Sequence, residues 1–174
     1  MDLKAQLEDR NLKWNWDKIA DYLVLNPALL PDLLEFMFNG KPHQQKNAAA
    51  VFGKICDQDK SLINPFLIPL AQHLRTNPVD ASKRSIIRLF QFCEIPEEVE
   101  GELFDQIIDY LKSSEEAIAI KAFGMTVARR ICQKYPELTV ELIPRIEVLV
   151  EEKVSAGIVN RGRKELKKLQ KLLT

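Results

Sequence analysis

Cys56, Cys93 and Cys132 are the only cysteines in this chain, and they recur at intervals of 37 and 39 residues. The apolar residues around them recur in the same frame. Ten residues on stand Phe66, Leu103 and Leu142; fourteen on, Leu70, Ile107 and Ile146; eighteen on, Leu74, Leu111 and Val150. An earlier copy keeps the frame with Ala20 in the cysteine slot, followed by Leu30, Leu34 and Phe38. A period of this length marks stacked supersecondary units, each too small to bury its apolar face alone. The cysteines should be buried, reduced and structural. Equivalent positions in stacked helices lie roughly 8–10 Å apart, beyond the Cα separation of about 7 Å that a disulfide tolerates. With no C-x-x-C pair and no adjacent histidine, no metal site is expected.

Each unit reads as two helices. First helices are expected over about 11–25, 41–56, 79–93 and 115–134, and second helices over about 28–38, 61–75, 97–112 and 136–152. A terminal helix is expected over about 158–173. Ile86, Leu89, Phe90 and Cys93 form one apolar stripe, and Leu103, Ile107, Tyr110 and Leu111 another, both at helical spacing. Alternation of period two is nowhere sustained, so strands are not expected. Pro27, Pro96 and Pro136 fall where a second helix starts. Pro31, Pro69 and Pro144 fall within the expected second helices, where proline removes a backbone bond and bends the axis. Ala48, Ser85 and Gly124, all eight residues before a cysteine, mark places where helices approach closely.

Helix pairs of this length, with prolines in the second helix and a small residue in the first, resemble HEAT repeats and, more loosely, armadillo repeats. The resemblance implies an all-α, right-handed α-α superhelix of about four HEAT-like helix pairs plus a terminal capping helix. It spans 1–174 as one domain, with repeats at about 11–38, 41–76, 79–113 and 115–153. It also implies that first helices form a convex side and second helices line a concave one. The aspartate-then-arginine ladder familiar in such arrays is missing, and repeat three carries Asp105 and Gln106 where its neighbours carry proline.

A net charge of zero removes the bulk argument for nucleic acid or an anionic membrane, yet it hides a segregation by helix. The expected first helices, with the terminal helix counted among them, hold eighteen bases against six acids, and the second helices thirteen acids against three bases. Solvation and the helix dipole explain Glu97, Glu98 and Glu137 near helix starts. They do not explain Asp105, Asp109, Glu147 and Glu151 further along. With Arg145 as a local exception, these residues form a candidate acidic concave surface for an unknown basic protein or peptide. The alternative is a nucleic-acid-associated array that uses basic outer helices, with Arg161, Arg163, Lys164, Lys167, Lys168 and Lys171 as its patch. No aromatic residue interleaves with those bases to stack on nucleobases, and capping of the array accounts for them as well.

Catalysis finds little footing. His43 is expected in a loop and His73 at the core edge with one nitrogen bonded; neither has a nucleophile beside it. Glycine-rich phosphate loops and the G-x-S-x-G elbow are missing. DNA alkylation-repair glycosylases also use HEAT-like arrays, but an acidic concave face would repel phosphate. The Gly-Ser-Ser-x-Met-Pro signature of fumarase-type lyases is absent too. No enzyme activity and no cofactor are expected. Lacking an apolar run of about 18 residues and a signal-like start, the chain is expected in the cytoplasm, away from membranes.

Overall fold

The computed structural model describes residues 1–8 and 15–174. Among them are ten α-helices, several short 3₁₀ turns and no strand. The helices are α1 (Leu3–Glu8), α2 (Trp16–Leu25), α3 (Leu30–Asn39), α4 (Pro42–Gln58), α5 (Leu67–His73), α6 (Asp80–Leu89), α7 (Glu97–Lys112), α8 (Ile118–Lys134), α9 (Thr139–Glu151) and α10 (Ala156–Gln170). The chain divides into two compact units, Met1–Leu89 and Phe90–Thr174. The division falls between the two helices of the third expected repeat. The expected start of the first helix, with Lys13 and Trp14, lies outside the described residues.

In the first unit α4 is the hub, packed against α1, α2, α3 and α6. Its buried Asn47 donates to the Leu7 carbonyl at 3.1 Å and accepts from the Trp16 indole at 3.3 Å, fastening α1 and α2 to one point. First helices thus stack on first helices, α2 on α4 and α4 on α6, while α3 pairs with α4. In the second unit α8 packs on α7 and α10, α9 packs on α10, and the second helices α7 and α9 also touch. Helices α3 and α9 each pack more fully on the helix that follows than on the first helix of their own expected repeat.

The small positions explain how close the stacking is. Ser85 of α6 donates to the Ala49 carbonyl of α4 at 2.7 Å. A Cβ on Gly124 would stand 3.0 Å from Ile107 Cγ2, so α8 rests directly on α7 there. Cys56, Cys93 and Cys132 are all buried and unbridged, each in the core of its unit. Phe92, one residue before Cys93, is 50 % exposed. Helix α6 ends at Leu89, and the turn that follows swings Phe92 outward while Phe90 and Cys93 stay inside. The Arg130 guanidinium holds that turn by donating to the carbonyls of Phe90 and Cys93.

The prolines behave differently from expectation. Only Pro144 lies inside a helix. Pro31 stands in the first turn of α3, and Pro69 in the first turn of α5, where the amide that proline lacks has no intrahelical partner to lose. The expected helix over 61–75 is also broken, with 3₁₀ turns at Lys60–Leu62, Asn64–Phe66 and Leu74–Thr76 around a short α5. Pro65 and Pro69 remove two amide donors four residues apart, which stops the α ladder from starting before Leu67. His43 is not in a loop, because Pro42 opens α4 and places His43 in its first turn.

Candidate interaction surface

The second helices of the second unit carry the acidic residues singled out by sequence. Asp105 and Asp109 on α7, and Arg145, Glu147 and Glu151 on α9, are all exposed. The core stripe explains why. On α7, Val99, Leu103, Phe104, Ile107, Ile108 and Leu111 are buried, which turns the opposite face to solvent. That face holds Glu98, Glu102, Asp105 and Asp109, spaced four, three and four residues apart and all exposed. Four carboxylates thus run along one line of one helix with no base among them. Glu98 favours the helix dipole from the first turn, but like charges one turn apart cost an isolated helix about 0.2–0.5 kcal/mol per pair, so Glu102, Asp105 and Asp109 are not there for helix stability. Sequence reasoning set Glu98 aside as a helix-start residue and did not single out Glu102, although their spacing from Asp105 and Asp109 was legible.

Other charges leave the surface. Glu100, on the same helix, is buried. It accepts from Lys134 at 3.0 and 3.1 Å and from the Tyr135 hydroxyl at 2.8 Å. The bond to Glu100 is the main reason the Lys134 ammonium and the Tyr135 hydroxyl both titrate above their ordinary values. Beside Glu100 and Tyr135 lies a cleft of about 290 Å³ that also meets Glu97, Glu137 and Leu138. On α7, burial is the first cause pushing the Tyr110 hydroxyl up, with the charges of Glu116 and Asp109 adding to it.

The basic first helices are likewise partly consumed by bonding. Arg88 pairs with Asp57 at 2.9 Å, Lys54 with Asp17 at 2.8 Å and Lys41 with Glu8 at 3.0 Å. In α10, Glu165 is 1 % exposed and accepts from Arg129 at 2.9 Å and Thr126 at 3.0 Å, both on α8. Arg161 donates to Gln91 at 3.0 Å and Thr126 at 2.7 Å, so it does not join an exposed patch. Arg163, Lys164, Lys167, Lys168 and Lys171 are exposed, Lys168 lying 3.7 Å from Glu165. The terminal helix is thereby clamped to α8 by one face and offers its bases on the other.

Neither histidine forms a nucleophile–base pair. His43 Nε2 lies 3.0 Å from Glu8. His73 is stacked on Phe38 with ring centroids 3.9 Å apart. Its Nδ1 lies 3.4 Å from Thr76 Oγ1, its Nε2 is buried without a partner, and burial lowers its pKa. Among the described residues, no group of three or more His, Cys, Asp or Glu could hold a metal ion. No helix among them is long and apolar enough to cross a membrane.

The family model described as HEAT repeat domain matches residues 3–169, nearly the whole chain. The chain belongs to the HEAT repeat family. No curated protein and no solved structure matches it. HEAT repeats generally mediate protein–protein interaction, and the family is typically non-enzymatic. Within their units, α3 packs on α4, α7 on α8 and α9 on α10, in keeping with an all-α HEAT repeat array.

Proposed function

We propose that this HEAT repeat chain is a non-enzymatic interaction scaffold whose acidic second helices, α7 and α9, receive a basic protein or peptide segment. The row Glu98, Glu102, Asp105 and Asp109 carries the reading: four exposed carboxylates on one helix line, with Glu147 and Glu151 exposed on the adjacent α9. A row of one sign raises the local concentration of an oppositely charged partner and speeds its encounter. Arg145 interrupts the negative field of α9. A cytoplasmic location belongs to the same reading.

Fluorescence anisotropy with a labelled lysine- and arginine-rich peptide tests it. The parent chain should bind saturably, and affinity should fall as salt shortens the screening length to roughly 8–10 Å. Asp105→Lys with Asp109→Lys should weaken binding by about tenfold at low salt, several rim charges each contributing below about 1 kcal/mol. The fold should be unchanged by circular dichroism. Lys167→Glu with Lys168→Glu should leave peptide binding nearly unchanged. If the peptide fails to bind while generic duplex DNA binds and is lost with the Lys167 and Lys168 changes, the nucleic-acid alternative replaces this reading.

A further inference from the structure

Among the described residues two lysines, Lys83 and Lys121, are buried, and they differ. Lys83 lies 3.7 Å from Asp80. Lys121, in the first turn of α8, is 5 % exposed and makes no ion pair or side-chain hydrogen bond among the described residues. An uncompensated ammonium in a protein interior is costly, and a helix surface offers easy ways to avoid it. The nitrogen is not sealed in, since it is not among the buried polar atoms lacking a partner. It opens instead into a cleft of about 410 Å³ between the α7–α8 connection and the C-terminal half of α9.

The polar lining of that cleft is Lys112, Ser113, Ser114, Lys121, Arg145 and Glu152. Three cations face one carboxylate, in the middle of a unit whose second helices are otherwise acidic. Lys112 is shared weakly with Glu141, at 3.7 Å between two half-exposed side chains. Ser114 donates to Glu115 at 3.2 Å. Ser113 Oγ accepts from the Glu115 amide at 3.2 Å, which leaves its own hydroxyl proton to donate. Leu111, Val148 and Leu149 supply an apolar wall.

We infer that this cleft is an anion site for a phosphomonoester, carried by a phosphorylated serine or threonine of a protein partner. The net lining charge of two positive matches the charge of about −1.5 to −2 on a phosphomonoester near neutral pH. A carboxylate would leave one cation unmatched. Arg145 brings a planar guanidinium fork suited to phosphate oxygens, Lys112 and Lys121 supply point charges, and the Ser113 hydroxyl completes the donor set. Bound phosphate would also answer the buried charge of Lys121. The site stands on the cleft itself; the assignment of the phosphate to a protein rests on the scaffold reading above.

The probe is a short phosphoserine peptide with no other charged residue, titrated into the full chain by isothermal calorimetry. Saturable binding is expected for the phosphopeptide and none for its unphosphorylated twin. Lys121→Met, which keeps the volume but removes the charge, should weaken binding at least tenfold, in line with a lost charge-assisted bond. Arg145→Gln, at an exposed position that the core does not use, should do the same and keeps the test valid should Lys121→Met fail to fold. Asp105→Lys with Asp109→Lys should not weaken it, whereas it should weaken the basic peptide, so the two readings fail separately. Four outcomes would overturn the inference: no saturable binding, binding indifferent to Arg145→Gln, equal loss on Lys167→Ala with Lys168→Ala, or inorganic phosphate bound as tightly as the peptide. Binding to anionic vesicles but not to the phosphopeptide would overturn it as well.

Discussion

At the scale of single residues, the cysteine slot shows how a repeat frame becomes chemistry. Cys132 is fully buried, and burial pushes its thiol from an ordinary value of 9.0 up to about 12. The folded state therefore holds that proton more tightly than the unfolded chain does. This contribution to stability is complete below about pH 9 and is lost as pH rises towards 12, at about 1.4 kcal/mol per pH unit. Urea melts of the parent and of Cys132→Ala at pH 8 and pH 10.5 should show the parent's advantage shrinking at the higher pH. An advantage that holds constant across that range would mean the thiol is not sequestered. The identity and burial of this position were legible because small apolar side chains recurred in register. The exposure of Phe92 was not, since a periodic pattern does not say where α6 stops and the chain turns.

At the scale of elements, glycine decides how near one helix can come to another. Gly162 of α10 has no room for a side chain: a Cβ there would overlap Val150 Cγ2 and stand 3.1 Å from Ile146 Cγ2, both on α9. Gly101 of α7 has nothing within 4 Å of the same position. Alanine is favoured over glycine inside a helix by about 1 kcal/mol, so the two substitutions should part company. Gly101→Ala should stabilise by up to about 1 kcal/mol, while Gly162→Ala should destabilise by about 1–3 kcal/mol through overpacking. Chemical denaturation of both variants checks this, and equal shifts of one sign would refute the close approach of α9 and α10. The sequence revealed the equivalent role of Gly124 through its alignment with Ala48 and Ser85. Gly162 stands 38 residues after Gly124 and so falls in the same slot, but it escaped notice because α10 carries Gln170, not cysteine, at the position that anchors the frame. Proline was misread for a related reason: periodicity places Pro31 and Pro69 within a repeat, but only the actual helix start shows them to be first-turn residues.

At the scale of the whole molecule, charge is arranged rather than accumulated. The chain carries 25 bases and 25 acids, yet exposed carboxylates line α7 and exposed lysines and arginines line α10. The contrast between first and second helices was visible in the sequence, but its strength at the surface was not. Glu100 and Glu165 look like surface charges by composition and are buried hydrogen-bond acceptors in the fold, and Arg161 is drawn into the same kind of network. Lys121 went unremarked because nothing in a linear pattern separates a solvated lysine from one facing a cleft. What remains exposed is a molecule of zero net charge with patches of opposite sign. Near its sequence isoelectric point of about 6.7, no overall repulsion keeps copies apart, while the acidic face of one can meet the basic face of another. Salt screens such contacts once the Debye length falls from about 30 Å at 0.01 M to about 8 Å at 0.15 M. Static light scattering at pH 6.7 should therefore give a negative second virial coefficient at 0.01 M salt that rises towards zero or above at 0.15 M. Asp105→Lys with Asp109→Lys should blunt that dependence, because it removes half of the α7 row and adds net positive charge. A virial coefficient that becomes more negative as salt is added would mean that apolar contacts, not sorted charge, govern how copies of this chain meet.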